Sequence, residues 1–155
     1  RGIGIAAPPD WLLSTKWALP AIIVVSIWKS AGYYMIIFLA GLQAISKELY
    51  EAADVDGARG VTKFFKITLP LLSPTTFLVV IMMTISSFQV FDLINVMTEG
   101  GPGRATNVLV YRIYQEGFKY MHFGYASAMA YFLFFVILII TVIQFIGQKK
   151  WVTYQ

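Results

Sequence analysis

Two long stretches without a charged side chain constrain this chain most. Residues 67–91 contain no Asp, Glu, Lys or Arg, and residues 120–148 contain none either. About 20 helical residues, rising 1.5 Å each, cross the hydrocarbon core of a bilayer, which is roughly 30 Å thick. A helix is required because backbone amides in lipid must be hydrogen-bonded within the segment. The sequence therefore predicts membrane-spanning helices over 71–93 and 125–146.

A third span is predicted over 19–42, although it contains Lys29. A Lys near the centre of a span costs about 2.5–3.5 kcal/mol on insertion. The surrounding Ile, Leu and Val residues, each favourable by about 0.3–0.6 kcal/mol, offset that cost. We expect the segment to insert, with Lys29 facing protein or water and not lipid.

The composition agrees with an all-α membrane protein and excludes several other classes. Hydrophobic residues make up 58% of the chain and charged residues 13%, about half the share of charge in a soluble domain. The net charge of +4 is small and scattered, whereas a nucleic-acid-binding protein has a concentrated basic stripe. With no cysteine and only His122 as histidine, neither a disulfide nor a metal site or other cofactor is predicted.

Two polar connections, 43–68 and 95–122, join the three spans and lie on opposite sides of the membrane. The side of the first connection and the C-terminal tail carries Lys47, Arg59, Lys63, Lys66, Lys149 and Lys150. The other side carries Arg1, Lys16, Arg104, Arg112 and Lys119. The positive-inside rule therefore places residues 43–68 and the C-terminus in the cytoplasm, by a margin of one residue. The start at Arg1 instead of Met predicts a C-terminal part of a longer chain.

The first connection contains a spaced motif between two predicted spans. It reads Glu51-Ala52-Ala53-Asp54-Val55-Asp56-Gly57, then nine residues, then Ile67-Thr68-Leu69-Pro70. This pattern resembles the "EAA" loop of binding-protein-dependent permeases in ATP-binding cassette importers, and every fixed position of that loop matches. Further matches lie at residues 39–43 and 88–92 and in Gly100-Gly101-Pro102. They extend the resemblance over nearly the whole chain, and to the branch that includes maltose, oligosaccharide and glycerol-3-phosphate permeases.

The residues of this loop also predict a two-helix elbow independently of the family. Ser46 can cap a short helix, and Glu48 in its first turn complements the helix dipole. Gly57 permits the positive φ that ends such a helix. Thr62 can cap the next helix, whose Pro70 lies near the start of the following span, where a missing amide donor costs least.

The resemblance implies a transport function and a set of partners. The chain would be a permease subunit of a bacterial or archaeal inner membrane that does not itself hydrolyse ATP. Cytoplasmic ATPase subunits, a second permease subunit and an external solute-binding protein would assemble with it in the bilayer. Glu51 would pair with a basic group on the ATPase, and Ala52, Ala53 and Gly57 would form the contact surface. The remaining coupling residues would be Asp56, Ile67, Leu69 and Pro70.

Several polar residues admit two interpretations. Gln89, Asp92 and Asn95 near one end of the second span either mark the membrane boundary or line a passage for sugar hydroxyls. Lys29 either snorkels to water, or lines that passage or pairs with a carboxylate on a helix outside this sequence.

Two other functions are weighed against transport. A membrane-embedded enzyme would need converging titratable residues, and no Ser-His-Asp or paired-carboxylate arrangement is evident, so no catalytic residues are predicted. A structural or channel-forming helical protein would not need the elbow, and it is the main alternative to a transport subunit.

Overall fold

The computed structural model describes residues 10–149 and Val152, and every regular element in them is a helix. The N-terminal residues 1–9 and most of the predicted cytoplasmic tail lie outside the described residues. The α-helices are α1 (Ala18–Gln43), α2 (Lys47–Val55), α3 (Gly60–Lys63), α4 (Leu69–Leu71), α5 (Ser73–Phe88), α6 (Asp92–Met97), α7 (Leu109–Tyr114) and α8 (Phe123–Gln148). Two π-helical turns, Phe64–Thr68 and Gln115–Lys119, follow α3 and α7.

Within the described residues, three helical stretches are long and apolar enough to cross a membrane. They are Ala18–Gln43, Ser73–Met97 and Phe123–Gln148. The first and third have 26 residues each and are about 39 Å long at 1.5 Å per residue. The prediction of an all-α protein with three spans is confirmed, and α1 and α8 extend slightly beyond the predicted 19–42 and 125–146.

The second span differs from the continuous helix predicted over 71–93, because α5 ends at Phe88 and α6 begins at Asp92. At the break, the Gln89 amide donates to the Ser86 carbonyl at 3.1 Å, which closes α5 with a tight turn. Phe91 then packs against Tyr114, with ring centroids 4.9 Å apart. The break is thus stabilised by packing against a distant part of the chain, which a local sequence pattern does not reveal.

The chain divides into two compact units, each with its own packing. The first contains residues 10–30 and Ser86–Ile137, and its centre is formed by Ile22, Ile94 and Tyr111, which are 0–2% exposed. Tyr111 lies against Gly100, where an added Cβ would be 2.7 Å from the Tyr111 ring. Glycine at this position, with φ of +82°, is therefore required by both the turn and the packing.

The second unit contains Ala31–Ile85 and residues 138–149 and joins parts of all three long helices. A Cβ at Gly41 would lie 2.5 Å from Thr75 Oγ1, so α1 and α5 approach closely there. Phe77 of α5 and Phe145 of α8 form an edge-to-face pair with centroids 5.3 Å apart. Close approach at a small residue and an aromatic contact thus contribute to the packing of this unit.

Candidate functional site

The helix that carries the EAA residues begins and ends at the predicted caps. The amide of Glu48 donates to Ser46 Oγ at 3.2 Å, so Ser46 caps α2. At the other end Gly57 has φ of +71°. The amides of Gly57 and Ala58 donate to the carbonyls of Asp54 and Ala53 at 3.0 and 2.9 Å. These two hydrogen bonds form a Schellman motif, which fixes where α2 stops.

The elbow has two arms, α2 and the helical segment Gly60–Leu71 that follows it. This second arm begins earlier than predicted. Arg59 is extended, with φ of −74° and ψ of 160°, and α3 starts at Gly60. The prediction that Thr62 caps this helix is wrong, because Gly60 and Val61 are already helical and Thr62 lies within the first turn. The arm continues through the π-helical turn and α4, which has Pro70 in its first turn, to Leu71. α5 begins two residues later, so the arm leads directly into the second span.

Two side-chain contacts fasten the arms of the elbow to each other. Lys63 Nζ forms an ion pair with Asp54 of α2. The hydroxyls of Tyr50 and Thr68 are 2.8 Å apart and share a hydrogen bond, and Thr68 is buried. Lys63 and Thr68 are five residues apart along the second arm. The arm is therefore attached to α2 at two separate points. We refer to residues 46–71 as the elbow.

The predicted coupling residues lie on both exposed and buried parts of the elbow. Those exposed are Glu51, Ala52, Asp56, Gly57 and Leu69, and those half-buried are Ile67 and Pro70. Ala53 is only 8% exposed. Because its methyl group packs inside the chain, Ala53 does not belong to the exposed contact surface that was expected to include it. The accessible face of α2 therefore centres on Glu51 and Ala52.

Two of the four predicted pathway residues are brought together. Lys29 of α1 forms an ion pair with Asp92, the first residue of α6, and their side chains are 58% and 60% exposed. The carboxylate that Lys29 pairs with in the structure is thus Asp92 of this sequence. Gln89 is exposed in the turn before α6, and Asn95 is half-buried on α6.

A buried carboxylate, Glu116, was not singled out from the sequence. It is 5% exposed, forms an ion pair with Arg112 Nη2 at 2.5 Å and lies within hydrogen-bond distance of His122 Nδ1 at 2.9 Å. The spacing of four between Arg112 and Glu116 on a helix was the available signal. Nearby, interaction with Tyr111 raises the pKa of Lys119, whose ammonium group lies 5.8 Å from the ring centroid. Among the described residues, no group of three or more potential metal ligands comes together.

The loop after α6 forms a tight turn, as its glycines predict. Thr106 is fully buried, and its hydroxyl donates to the Gly101 carbonyl at 2.7 Å. A groove of about 890 Å³ opens beside this turn. Its lining includes Trp11, Leu13, Val96, Met97, Glu99 and Pro102. The first unit therefore presents a concave, partly acidic surface next to the glycine turn.

Comparisons with known proteins agree with these features. The family described as "Binding-protein-dependent transport system inner membrane component" matches residues 3–151. The sn-glycerol-3-phosphate transport system permease protein of Brucella abortus is 41% identical over 155 residues, with 99% of this chain and 52% of the relative covered. The sulfoquinovosyl glycerol transport system permease protein of Agrobacterium fabrum is 43% identical over 133 residues, with 86% and 43% covered.

A solved bacterial ABC transporter, involved in the import of the acidic polysaccharide alginate, has the same fold. It superposes with a TM-score of 0.84 at 28% identity, covering 96% of this chain and 52% of that chain. This chain thus spans about half the length of the relatives it matches. Because the family match covers almost all of its residues, the chain belongs to the binding-protein-dependent transport system inner membrane components, which are multi-pass proteins of the inner membrane.

Proposed function

We propose that this chain is part of the permease subunit of an ATP-binding cassette importer for a sugar or related carbohydrate. It forms part of the translocation pathway, and residues 43–68, on the cytoplasmic side, couple it to ATPase subunits on separate chains that hydrolyse the ATP. The observation that carries this proposal is the elbow, a fastened pair of helical arms that exposes Glu51 and leads directly into α5.

The fastening of the elbow explains how it can transmit movement. A force applied to the exposed face of α2 reaches the second arm through the Asp54–Lys63 ion pair and the Tyr50–Thr68 hydrogen bond. The second arm continues into α5 after Leu71, so the arm and the span respond together. Closure of the ATPase subunits would thereby change the arrangement of the spans, as alternating access requires.

Glu51 and Ala52 have complementary roles in binding the ATPase. Glu51 is exposed on α2, where its carboxylate can accept charge-assisted hydrogen bonds from a basic group. Ala52 beside it has only a methyl side chain, so a partner backbone can come close. Asp56 and Gly57 complete the exposed end of the helix, and Ile67, Leu69 and Pro70 hold the second arm at the start of the span.

The substrate passage is proposed to include Lys29, Gln89, Asp92 and Asn95. The exposed Lys29–Asp92 pair offers both donors and acceptors, which are what sugar hydroxyls bind. The names of the relatives refer to sn-glycerol-3-phosphate and sulfoquinovosyl glycerol, which supports a carbohydrate or related solute here. Unchanged transport kinetics in Gln89→Ala and Asp92→Ala would contradict this role.

Two further partners complete the assembly. A second permease subunit contributes to the passage together with this one. An external solute-binding protein docks at the loop 95–122, where the groove beside the glycine turn is available. A solved alginate transporter in complex with its periplasmic protein supports an arrangement of this kind.

Co-purification of the ATPase with the full-length permease tests the proposed coupling. We expect Glu51→Lys to reduce the recovered ATPase at least tenfold, because it places a cation against the basic group of the ATPase. Glu99→Lys, the same charge reversal in the loop after α6, is the matched control and should retain the ATPase. Equal recovery with both variants would contradict coupling through Glu51 and favour a structural or channel-forming protein.

A further inference from the structure

The second arm of the elbow has an exposed apolar face, of which only Leu69 has a proposed role in coupling. Val61, Phe65 and Leu69 recur every four residues along it and are 73%, 61% and 45% exposed. Phe64 is also half exposed and forms an edge-to-face pair with Phe65, with centroids 5.1 Å apart. We call these four residues the apolar stripe. Exposed aliphatic and aromatic side chains at this regular spacing form one continuous surface along the helical axis.

The apolar stripe is not covered by α2. The contacts that bind the arm to α2 come from Lys63 and Thr68, and neither residue belongs to the stripe. The four residues of the stripe nevertheless remain 45–73% exposed. The contacts with α2 therefore leave this apolar surface accessible.

Positive charge accompanies the apolar stripe, and negative charge is absent from this part of the sequence. Arg59 and Lys66 are both exposed beside it, and no Asp or Glu occurs between Asp56 and Asp92. The arm also leads directly into α5, so it lies where the chain passes from water into lipid. Apolar and aromatic residues with flanking Lys and Arg are typical of segments that lie in the headgroup region of anionic membranes.

We propose that the apolar stripe binds the membrane surface and selects anionic phospholipid. Val61, Phe64, Phe65 and Leu69 pack against the upper acyl chains, while Arg59 and Lys66 bind the headgroup phosphates. Each basic residue near an anionic surface contributes roughly fivefold to the affinity. The lipid would hold the second arm against the bilayer while α2 remains free to bind its partner. This inference requires only the membrane span and holds whether or not the elbow binds an ATPase.

Spin labelling of single cysteines tests the proposal, since the present sequence contains no cysteine. The full-length permease, freed of any cysteine elsewhere, carries Phe65→Cys, or Val55→Cys as the matched control. Val55 lies on α2 and is 89% exposed. Both proteins are placed in nanodiscs of phosphatidylglycerol or of phosphatidylcholine. A high rate of collision with molecular oxygen indicates that the spin label is in lipid. A high rate of collision with a water-soluble nickel chelate indicates that it is in water.

In phosphatidylglycerol we expect the label at position 65 to be shielded from nickel at least fivefold relative to position 55. In phosphatidylcholine the shielding should fall severalfold, and adding Arg59→Gln and Lys66→Gln should produce the same fall in phosphatidylglycerol. Lys47→Gln, a charge loss on α2, should leave the shielding unchanged.

Three results would overturn the proposal. Equal exposure to nickel at positions 55 and 65 would mean that the stripe is in water. Equal shielding in both lipids would remove the selection for negative charge. Shielding of position 65 from both nickel and oxygen would mean that protein covers the stripe: the remainder of the permease if it occurs without ATPase, and the ATPase if it appears only on its addition.

Discussion

The elbow and the region around Asp92 are built in opposite ways. The elbow is held by contacts between residues 9 and 18 positions apart and by caps at the ends of α2. The ion pair of Lys29 with Asp92 joins residues 63 positions apart. The elbow is thus a local structure that presents a surface to a partner, whereas the Lys29–Asp92 pair exists only when α1 and α6 have come together. Substitutions should therefore disturb coupling in the first region and the arrangement of the spans in the second.

The largest effect is expected from reversing one charge of the Lys29–Asp92 pair. Lys29→Asp or Asp92→Lys places two like charges side by side where α1 and α6 meet, and their repulsion should separate these helices. We expect transport by the complete importer to fall about tenfold in either variant, which corresponds to about 1.4 kcal/mol. The reciprocal double variant, Lys29→Asp with Asp92→Lys, should recover the amount of protein in the membrane. It should not recover full transport, because it exchanges the donor and the acceptor that are proposed to bind the substrate.

The double variant also separates two roles of the pair. Recovery of transport would mean that Lys29 and Asp92 act on each other to position α1 and α6. Failure to recover, with normal amounts of protein in the membrane, would mean that one of them binds the substrate directly and would contradict a purely long-range structural role.

A smaller loss of stability is expected at Glu116, in the same unit as Asp92. Glu116→Ala removes the hydrogen-bond acceptor of Arg112 and His122, whose side chains are 37% and 64% exposed and can bind water instead. The expected loss is therefore about 1 kcal/mol, the net value of a hydrogen bond. The expected result is a lower denaturation midpoint of the purified permease in a detergent titration. Glu99→Ala, at an exposed carboxylate, is the control. A midpoint as high as that of the control would show that the buried cluster does not stabilise the unit.

In the elbow, Gly57→Ala should have a moderate effect that comes from the backbone alone. A Cβ at Gly57 meets nothing within 4 Å, but φ is +71°, and the left-handed conformation costs a non-glycine residue roughly 1–2 kcal/mol. We expect less ATPase to be recovered with the permease, and a small decrease in its stability. Gly60→Ala, which also has open space around it, should behave like the parent because Gly60 is in the first turn of α3. Equal behaviour of the two variants would contradict the role of Gly57 in ending α2.

The smallest effect is expected at the contact between α5 and α8. Gln144 Nε2 donates to Thr84 Oγ1 at 2.7 Å, but among the described residues Gln144 Oε1 is buried without a hydrogen-bond partner. Gln144→Leu removes one interhelical hydrogen bond, worth about 0.6 kcal/mol in membranes, and also removes the unpaired oxygen. We expect a change in stability of at most about 0.6 kcal/mol in the same detergent titration. A loss above about 1.5 kcal/mol would identify this contact as a principal link between the helices.

Features that depend on neighbouring residues could be predicted from the sequence, whereas features that depend on distant contacts could not. The three spans, the Ser46 cap and the Gly57 terminus were predicted because each depends on residues close together in the chain. The break at residues 89–91, the pairing of Lys29 with Asp92 and the burial of Glu116 depend on distant contacts. The inward position of Ala53 was missed for a related reason, since a motif identifies which residues are present but not which side of the helix faces the rest of the chain.

The elbow is proposed to be a cytoplasmic surface that an ATPase binds, and labelling of Val55→Cys in the full-length permease tests this most directly. The Val55 side chain is well placed for labelling, because the residue is 89% exposed at the end of α2. A membrane-impermeant maleimide should label the cysteine in inside-out vesicles but not in right-side-out vesicles, and added ATPase subunits should slow the labelling. Labelling from the outside, or labelling from the inside that the ATPase leaves unchanged, would contradict the proposed role of the elbow.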